Sequence, residues 1–161
     1  MIWERVLPPD HPDLARSYNN VGCTYGALGD HGKELEYQLK ALGIFERVLP
    51  LEHPSIAISY NNVSYTYGEL GDHEKELEYN LKALAIREHV LPGNHPSLAR
   101  SFNNIAWTYY RLGRIGEAAT HMRRAADIVN RSPLPAEHKD RININKWAER
   151  LEEEARQEET V

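Results

Sequence analysis

The sequence lacks several features that mark whole classes of protein. Its 161 residues include a single cysteine, Cys23, so the chain cannot form an internal disulfide and fits a reducing compartment. No apolar run approaches the roughly 20 residues of a membrane-spanning helix, and the charged, proline-containing start "MIWERVLPPD" is unlike a secretory signal. The net charge is −5 with no basic block, which is atypical of nucleic-acid binders. These absences predict a cytoplasmic protein that binds neither a membrane nor nucleic acid.

Enzyme signatures are missing as well. The sequence has no glycine-rich phosphate loop, no Gly-x-Ser-x-Gly and no His-Glu-x-x-His motif. No His or Asp falls at a spacing that would aim at Cys23. We therefore predict a non-enzymatic protein with no catalytic residues and no cofactor, in which Cys23 is a small packing or groove residue.

Eight histidines are present, and His11, His53 and His95 each precede a proline. They recur one repeat apart, and neighbouring helical hairpins pack about 8–10 Å apart. That spacing is too large for shared coordination of Zn²⁺, whose ligands lie about 2 Å from the metal. The same objection applies to His31 and His73. His11, His53 and His95 are predicted to support helix starts, and no metal site is predicted.

A 42-residue repeat dominates the sequence. Residues 11–52 and 53–94 are identical at 29 of 42 positions, and their shared "SYNN" returns as "SFNN" in a third copy, residues 95–136, whose second half diverges. "IWERVLPPDHP" near the start matches "IFERVLPLEHP" of the first copy, so residues 1–10 are interpreted as the tail of a truncated preceding repeat. Residues 137–161 are predicted to form a C-terminal capping helix with a thin apolar seam of Ile142, Trp147, Leu151 and Ala155.

Each repeat is predicted to fold as two helices. Apolar residues in the first helix follow steps of four and three, the stripe of an amphipathic helix; in copy one they are Leu14, Tyr18, Val21, Tyr25 and Leu28. A proline stands at the first turn, where its missing N–H costs nothing. Gly29 suits the left-handed end of the first helix and Asp30 the N-cap of the second, as do Gly71 and Asp72, whereas Arg114 replaces the Asp in copy three.

These motifs resemble the tetratricopeptide repeat (TPR) family. The family's signature positions correspond to Tyr18-x-x-Val21-Gly22-x-x-Tyr25 in copy one, followed by the linking Leu28-Gly29. The 42-residue period, the "NN" pair and the "HP" between copies are similar to the kinesin-light-chain subtype. The resemblance implies an all-α fold, a TPR-type superhelical solenoid of helix hairpins with a C-terminal capping helix.

One position departs from the family pattern. The small residue that the family places early in the second helix appears only as Ala118, and the first two copies carry Glu34 and Glu76 instead. A carboxylate at a tight hairpin contact is costly unless it reaches solvent or a partner. We expect the second helix to rotate slightly, which would move Leu35 and Leu39 inward.

The asparagine pairs lie opposite the apolar stripe on a helical wheel, on the face that lines the concave groove of stacked TPR hairpins. Amide side chains offer donors and an acceptor, and therefore suit the backbone of an extended peptide. Aromatic residues on the same face supply apolar pockets, and arginines suit an acidic residue or carboxylate. The predicted peptide-binding residues are Asn19, Asn20, Asn61, Asn62, Asn103, Asn104, Tyr65, Trp107, Tyr110, Arg100 and Arg111.

The resemblance to kinesin-light-chain TPRs implies that Asn20, Asn62 and Asn104 contact the peptide. The alternative is that one Asn of each pair ties neighbouring hairpins together through a hydrogen bond to a carbonyl. The predicted function is a non-catalytic protein–protein interaction scaffold that binds a linear peptide bearing an aromatic or acidic residue. In this hypothesis the peptide runs across Asn62 and Asn104, with Trp107 as an anchor.

Two other functions stay open at this point. The first is a structural module that self-associates into a homo-oligomer through an open N-terminal end, where Leu14, Tyr18 and Ile2-Trp3 are expected to be exposed. The second is a sensor or scaffold fragment of a larger multidomain protein whose catalytic domain is absent.

Overall fold

The computed structural model describes residues 7–158. Over that range the chain forms α-helices and no β-strand, which confirms the predicted all-α class. The helices are α1 (Pro12–Ala27), α2 (His31–Val48), α3 (Pro54–Glu69), α4 (His73–Val90), α5 (Pro96–Arg111), α6 (Ile115–Arg131) and α7 (Lys139–Glu158). The chain divides into two compact units, Met1–Ile86 and Arg87–Val161. Among the described helices, none combines the length and the apolar character required to cross a membrane.

A histidine precedes each of the three helices that begin with proline. The Nδ1 atoms of His11, His53 and His95 each accept a hydrogen bond of 3.1 Å from the backbone N–H two residues on. Imidazole thus takes the N-cap role that Ser or Asp more often plays, which confirms that these histidines support helix starts. His138 does the same at α7, where it accepts from the N–H of Asp140 at 3.3 Å.

A glycine with positive φ separates the two helices of each hairpin. The φ values are 77°, 79° and 73° at Gly29, Gly71 and Gly113, in the left-handed region where a side chain would be strained. The next residue caps the second helix as predicted: Asp30 and Asp72 accept hydrogen bonds from the N–H three residues on, at 3.0 and 3.1 Å. Arg114 makes no side-chain cap bond.

The predicted apolar stripe is only partly inside the core. Leu28 and Leu70 are 75% and 47% exposed, because α1 and α3 end one residue earlier and the cap residue turns away from the hairpin. Leu14, expected to be exposed at the N-terminal end, is buried with residues of α2 and α3, and Tyr18 is half-buried. The other part of that expectation, Ile2-Trp3, lies outside the described residues.

Glu34 is buried at the contact between α1 and α2, so the expected rotation of the second helix is wrong. Leu35 is half-buried, but Leu39 is 36% exposed instead of pointing inward. His31 Nδ1 lies 2.8 Å from one carboxylate oxygen of Glu34, and Gln38 Nε2 donates to the other at 3.1 Å. Because hydrogen-bond partners replace the water that the carboxylate loses, its burial is tolerated.

The second copy repeats this arrangement. Glu76 is buried, with His73 Nδ1 at 2.9 Å from its carboxylate. In the third copy the corresponding residues are Ile115 and Ala118, both of them buried. The contact is therefore polar in the first two hairpins and apolar in the third.

The C-terminal helix α7 packs on α6 through a seam that differs from the predicted one. The buried residues of α7 are Ile144, Ala148 and Leu151, of which only Leu151 was predicted; Ala155 is half-buried and Ile142 is 51% exposed. Steps of four and three keep the buried residues on one side of the helix, and Ile142 does not fit that register. Trp147, also assigned to the seam, is half-buried and lines a groove instead.

Candidate functional site

A groove lies between α5 and α7, entirely within the unit Arg87–Val161. Its volume is about 640 Å³, within the usual range of small ligand sites. Helix α5 contributes Arg100, Asn103, Asn104 and Trp107, and α7 contributes Asp140, Asn143 and Trp147. Apolar residues, among them the buried Val129 and Ile144, line it as well. We call this the α5–α7 groove.

The two tryptophans of the groove touch each other. The ring centroids of Trp107 and Trp147 lie 4.5 Å apart at an interplanar angle of 74°, the edge-to-face arrangement that aromatic quadrupoles favour. Tyr110 packs edge-on against Trp107 at 5.8 Å, and the guanidinium of Arg150 lies 4.7 Å from the centroid of Trp147. These contacts hold both indoles in place, and both remain half-buried.

Several polar side chains of the groove have no hydrogen-bond partner within the described residues. Within residues 7–158, the amides of Asn103, Asn104 and Asn143 make no side-chain hydrogen bond, and no carboxylate forms an ion pair with Arg100. A ligand therefore finds amide donors and acceptors and a guanidinium with unused bonding capacity. Asp140 is the acidic residue of the groove, and its carboxylate lies 3.9 Å from His138 Nδ1.

A second arginine stands behind Arg100. Arg87 occupies the position that Phe45 holds one repeat earlier, and Phe45 is buried. Its Nη1 donates to Ser101 Oγ at 2.7 Å, and within the described residues it has no acidic partner. Burial, with a smaller contribution from the charge of Arg100, lowers the pKa of the Arg87 guanidinium. The two guanidinium charges together make the electrostatic potential at this end of α5 more positive.

The structure separates the predicted residues of the third copy. Arg100, Asn103, Asn104 and Trp107 line the α5–α7 groove together, as the helical wheel indicated. Tyr110 and Arg111, predicted for the same surface, do not line it; Tyr110 instead supports Trp107 from outside.

In the unit Met1–Ile86 the two asparagines of a pair differ. Asn61 Nδ2 donates to Asn80 Oδ1 at 3.1 Å, which joins α3 to α4. This bond lies within one hairpin and ends on a side chain, whereas the structural alternative expected a backbone carbonyl of a neighbouring hairpin. Asn62, next to it, is half-buried and makes no side-chain hydrogen bond within the described residues.

The first copy shows the same division on α1. The Oδ1 atom of Asn19 is buried without a hydrogen-bond partner in the described part of the chain, whereas Asn20 is exposed. Cys23, one turn further along, is exposed as well. The first asparagine of each pair thus turns toward the protein more than the second.

The aromatic residue predicted in the second copy is accessible. Tyr65 is 60% exposed and Ile58, seven residues earlier on α3, is 55% exposed. The negative charge of Glu69, with a smaller contribution from burial, raises the pKa of Tyr65. Ile58 and Tyr65 leave an apolar strip on either side of Asn62.

Sequence reasoning missed the half of the groove that α7 provides. Asn143 and Trp147 were not predicted as site residues, because the 42-residue pattern fades before α7. One signal was available: His138 caps α7 as His95 caps α5, which relates the two helices. No group of three His, Cys, Asp or Glu side chains among residues 7–158 is placed to hold a metal ion.

Comparison with known proteins identifies the repeats. The family model described as tetratricopeptide repeat matches residues 2–47, 35–89 and 55–131, which together span most of the chain. No sequence among the curated proteins matches.

Solved structures share the fold at low sequence identity. A protein described as a kinesin light chain with nearly identical TPR-like repeats, from Podosopora anserina, is 24% identical and aligns over 99% of this chain and 75% of its own, with a TM-score of 0.84. BtubC (BKLC) from P. vanneervenii is 24% identical over 83% of this chain and 55% of its own, with a TM-score of 0.75.

A more distant match was solved with a peptide. The first TPR of Spaghetti (RPAP3), bound to an HSP90 peptide, is 11% identical and covers 90% of this chain and 95% of its own, with a TM-score of 0.65. These likenesses confirm the predicted fold class, a TPR-type solenoid of helix hairpins.

Proposed function

The chain belongs to the tetratricopeptide repeat family, and from this premise we propose that it is a non-catalytic scaffold that binds a linear peptide on the face carrying the asparagine pairs. Proteins of this fold generally bind other proteins, and one similar structure holds a bound peptide. Residues 11–52, 53–94 and 95–136 are proposed as its three repeats. A reducing, cytoplasmic setting and the lack of nucleic-acid or membrane partners stay predictions.

The observation that carries this proposal is the unused bonding capacity of the α5–α7 groove. Asn103 is half-buried and Asn104 and Asn143 are exposed, and in the described chain none of the three makes a hydrogen bond through its side chain. An extended peptide presents N–H and C=O groups at regular intervals and would satisfy them. Arg100 would take an acidic side chain, and the tryptophans an apolar one.

Titration of display-selected peptides tests the proposal. Peptides selected on the wild-type protein should bind the Asn104→Ala or Asn62→Ala variant more weakly by over about 1 kcal/mol for each buried hydrogen bond removed. Ile142→Ala is a control, because Ile142 is exposed on α7 and does not line the groove. Unchanged affinity in both asparagine variants would reject binding on this face.

Self-association is a second candidate function, and a difference in burial between matching residues of α1 and α3 favours it. Val63 and Thr66 on α3 are fully buried, with Thr66 Oγ1 donating to Gln38 of α2 at 2.9 Å. Their counterparts on α1, Val21 and Thr24, are half-buried and exposed in the described part of the chain. A second copy that covered α1 would bury them. Light scattering tests self-association, since a protein that stays monomeric at high concentration excludes this candidate.

A further inference from the structure

We propose that the C-terminal helix α7 is half of the binding surface and that Asn143 and Trp147 contact the peptide directly. We further infer that the α5–α7 groove selects an extended peptide with a bulky apolar side chain and an acidic side chain three residues apart. This inference rests on the proposed function, because it concerns the same groove.

Trp147 is available for a ligand because α7 does not need it for packing on α6. Ile144, Ala148 and Leu151 provide that contact and are buried, whereas Trp147 stays half-buried beside Trp107. Two indoles meeting edge-to-face form a corner whose open surfaces line the groove. Tryptophan is enriched among the residues that dominate binding energies, and a bulky apolar side chain fits such a corner.

The charge next to the tryptophans favours an apolar residue over a cationic one. Arg150 lies 4.7 Å from the centroid of the Trp147 ring, so a cation–π position is already occupied. A lysine of the ligand would be repelled there by like charge. An aromatic or branched aliphatic side chain is uncharged and is not repelled.

Asn143 gives the second wall of the groove the same chemistry as the first. It faces the groove from α7, while Asn103 and Asn104 face it from α5, and all three side-chain amides are unpaired in the described chain. A peptide lying between the helices would meet amides on both sides. Each amide can both donate and accept, which matches the alternating groups of a peptide backbone.

Charge complementarity selects the acidic residue. Arg100 lines the groove without an acidic partner in residues 7–158, and Arg87 places a second positive charge behind it. Asp140, which also lines the groove, opposes this effect from α7. A carboxylate of the ligand is therefore bound most favourably at Arg100, where the guanidinium can form two hydrogen bonds with it.

The spacing follows from helix geometry. Arg100 and Trp107 are seven residues apart on α5, which corresponds to about 10 Å along the axis at about 1.5 Å per residue. An extended peptide advances about 3.3 Å per residue. A peptide running along α5 thus spans the distance between the two side chains in about three residues.

Fluorescein-labelled peptides in a Gly/Ser host provide the probe. Three pairs of peptides are compared, and each pair contains both orders of the two test residues. The first pair carries Glu and Phe three positions apart, and the second carries them adjacent. The third pair is the first with Lys in place of Glu. Fluorescence anisotropy with the wild-type protein should show the tightest binding for one of the peptides with the three-residue spacing. Equal binding of the adjacent or the Lys peptides would reject the selection that we infer.

Variants of α7 test the direct contacts. Asn143→Ala and Trp147→Ala should each weaken that peptide at least about fivefold, the effect of roughly 1 kcal/mol, while Ile142→Ala leaves it unchanged. Circular dichroism and thermal melting check the fold of each variant. Trp147→Phe is a milder second variant that keeps an aromatic ring and should weaken binding less than Trp147→Ala does.

The outcomes separate this inference from the proposed function. If Asn104→Ala weakens display-selected peptides but Asn143→Ala and both Trp147 variants do not, α7 takes no part in binding and the proposed function stands. If Asn62→Ala and Asn104→Ala also leave those peptides unaffected, the proposed function fails too. If none of the designed probes binds, the inferred chemistry of the ligand is wrong, whatever the display selection yields.

Discussion

Glu34 lies directly over Gly26. A Cβ atom added to Gly26 would come within 2.5 Å of Glu34 Cδ and 2.6 Å of both carboxylate oxygens. In the third copy the corresponding residues are Tyr110 and Ala118. In copy one the first helix has the small residue and the second helix the large one, and in copy three this order is reversed. The departure from the family pattern at Glu34 is therefore compensated on the facing helix.

This relationship predicts a strong coupling between the two positions. Gly26→Ala should lower the free energy of unfolding by about 1–3 kcal/mol, the usual cost of overpacking. In a Glu34→Ala background the same substitution should cost less, or stabilise α1 by up to about 1 kcal/mol, because Ala is the better helix former. Chemical denaturation of the two single variants and the double variant measures the coupling.

Two other glycines serve as controls for the comparison of the Gly26→Ala and Glu34→Ala variants. Gly68 has a looser contact, with the nearest Glu76 atom at 3.0 Å from the added Cβ, so Gly68→Ala should cost less than Gly26→Ala. Gly116 has nothing within 4 Å, and Gly116→Ala should be neutral or stabilising. Equal effects at Gly26 and Gly116 would contradict the role given to Glu34.

The asparagine pair of the second copy should divide into a structural and a binding residue. Asn61→Ala removes the hydrogen bond to Asn80 and should lower the free energy of unfolding by about 1–2 kcal/mol. Asn62→Ala should change stability by less than about 0.5 kcal/mol while it weakens peptide binding. Denaturation and titration on the same two proteins check both effects; a reversed order would refute the division.

Arg87 should contribute more to binding than to stability. Arg87→Phe restores the residue type that Phe45 provides one repeat earlier, and should raise the free energy of unfolding by about 1 kcal/mol, because it replaces a half-buried charge that has no acidic partner in the described chain with an apolar ring. Ser101 Oγ keeps its bond to the backbone of Ser97. The same variant should bind the acidic probe peptide more weakly. A thermal melt and an anisotropy titration test the two parts, and a destabilised variant would show that Arg87 has a structural role.

The N-cap of α2 predicts a pH dependence. The backbone N–H of Lys33, and next its side chain, hold the pKa of Asp30 below its ordinary 3.8. A pKa lowered by folding means that the ionised cap stabilises the protein at and above the unfolded pKa, and that this contribution is lost as the pH falls through the folded value. Asp30→Ala should therefore be less stable than wild type at pH 7, and the difference should shrink below about pH 4.

A neutral cap is the matched control for that experiment. Asn at position 30 can accept the same hydrogen bond, so Asp30→Asn should retain most of the stability at pH 7 and show a weaker pH dependence than wild type. Parallel urea titrations at several pH values compare the three proteins. A gap between Asp30→Ala and wild type that persists unchanged into acid would exclude the ionised cap.

The sequence by itself determined the repeats, the helices and their ends. Helix periodicity, Pro12 at a first turn, Gly29 at a left-handed position and Asp30 as a cap act over a few residues, so local patterns are sufficient to predict them. The same patterns placed Asn104 and Trp107 on one face. A helical wheel needs no tertiary information and placed the exposed Asn20 and Asn104 correctly, but it did not show that Asn19 and Asn61 turn toward the protein.

Only the tertiary structure decided what these residues meet. The burial of Glu34 depends on the space above Gly26, eight residues away on another helix. The groove depends on Trp147, whose contact with Trp107 is 40 positions distant in the chain. Packing and hydrogen bonding between helices are set by shape and by partners that no local period encodes. The second wall of the site could therefore be found only once α7 was seen beside α5.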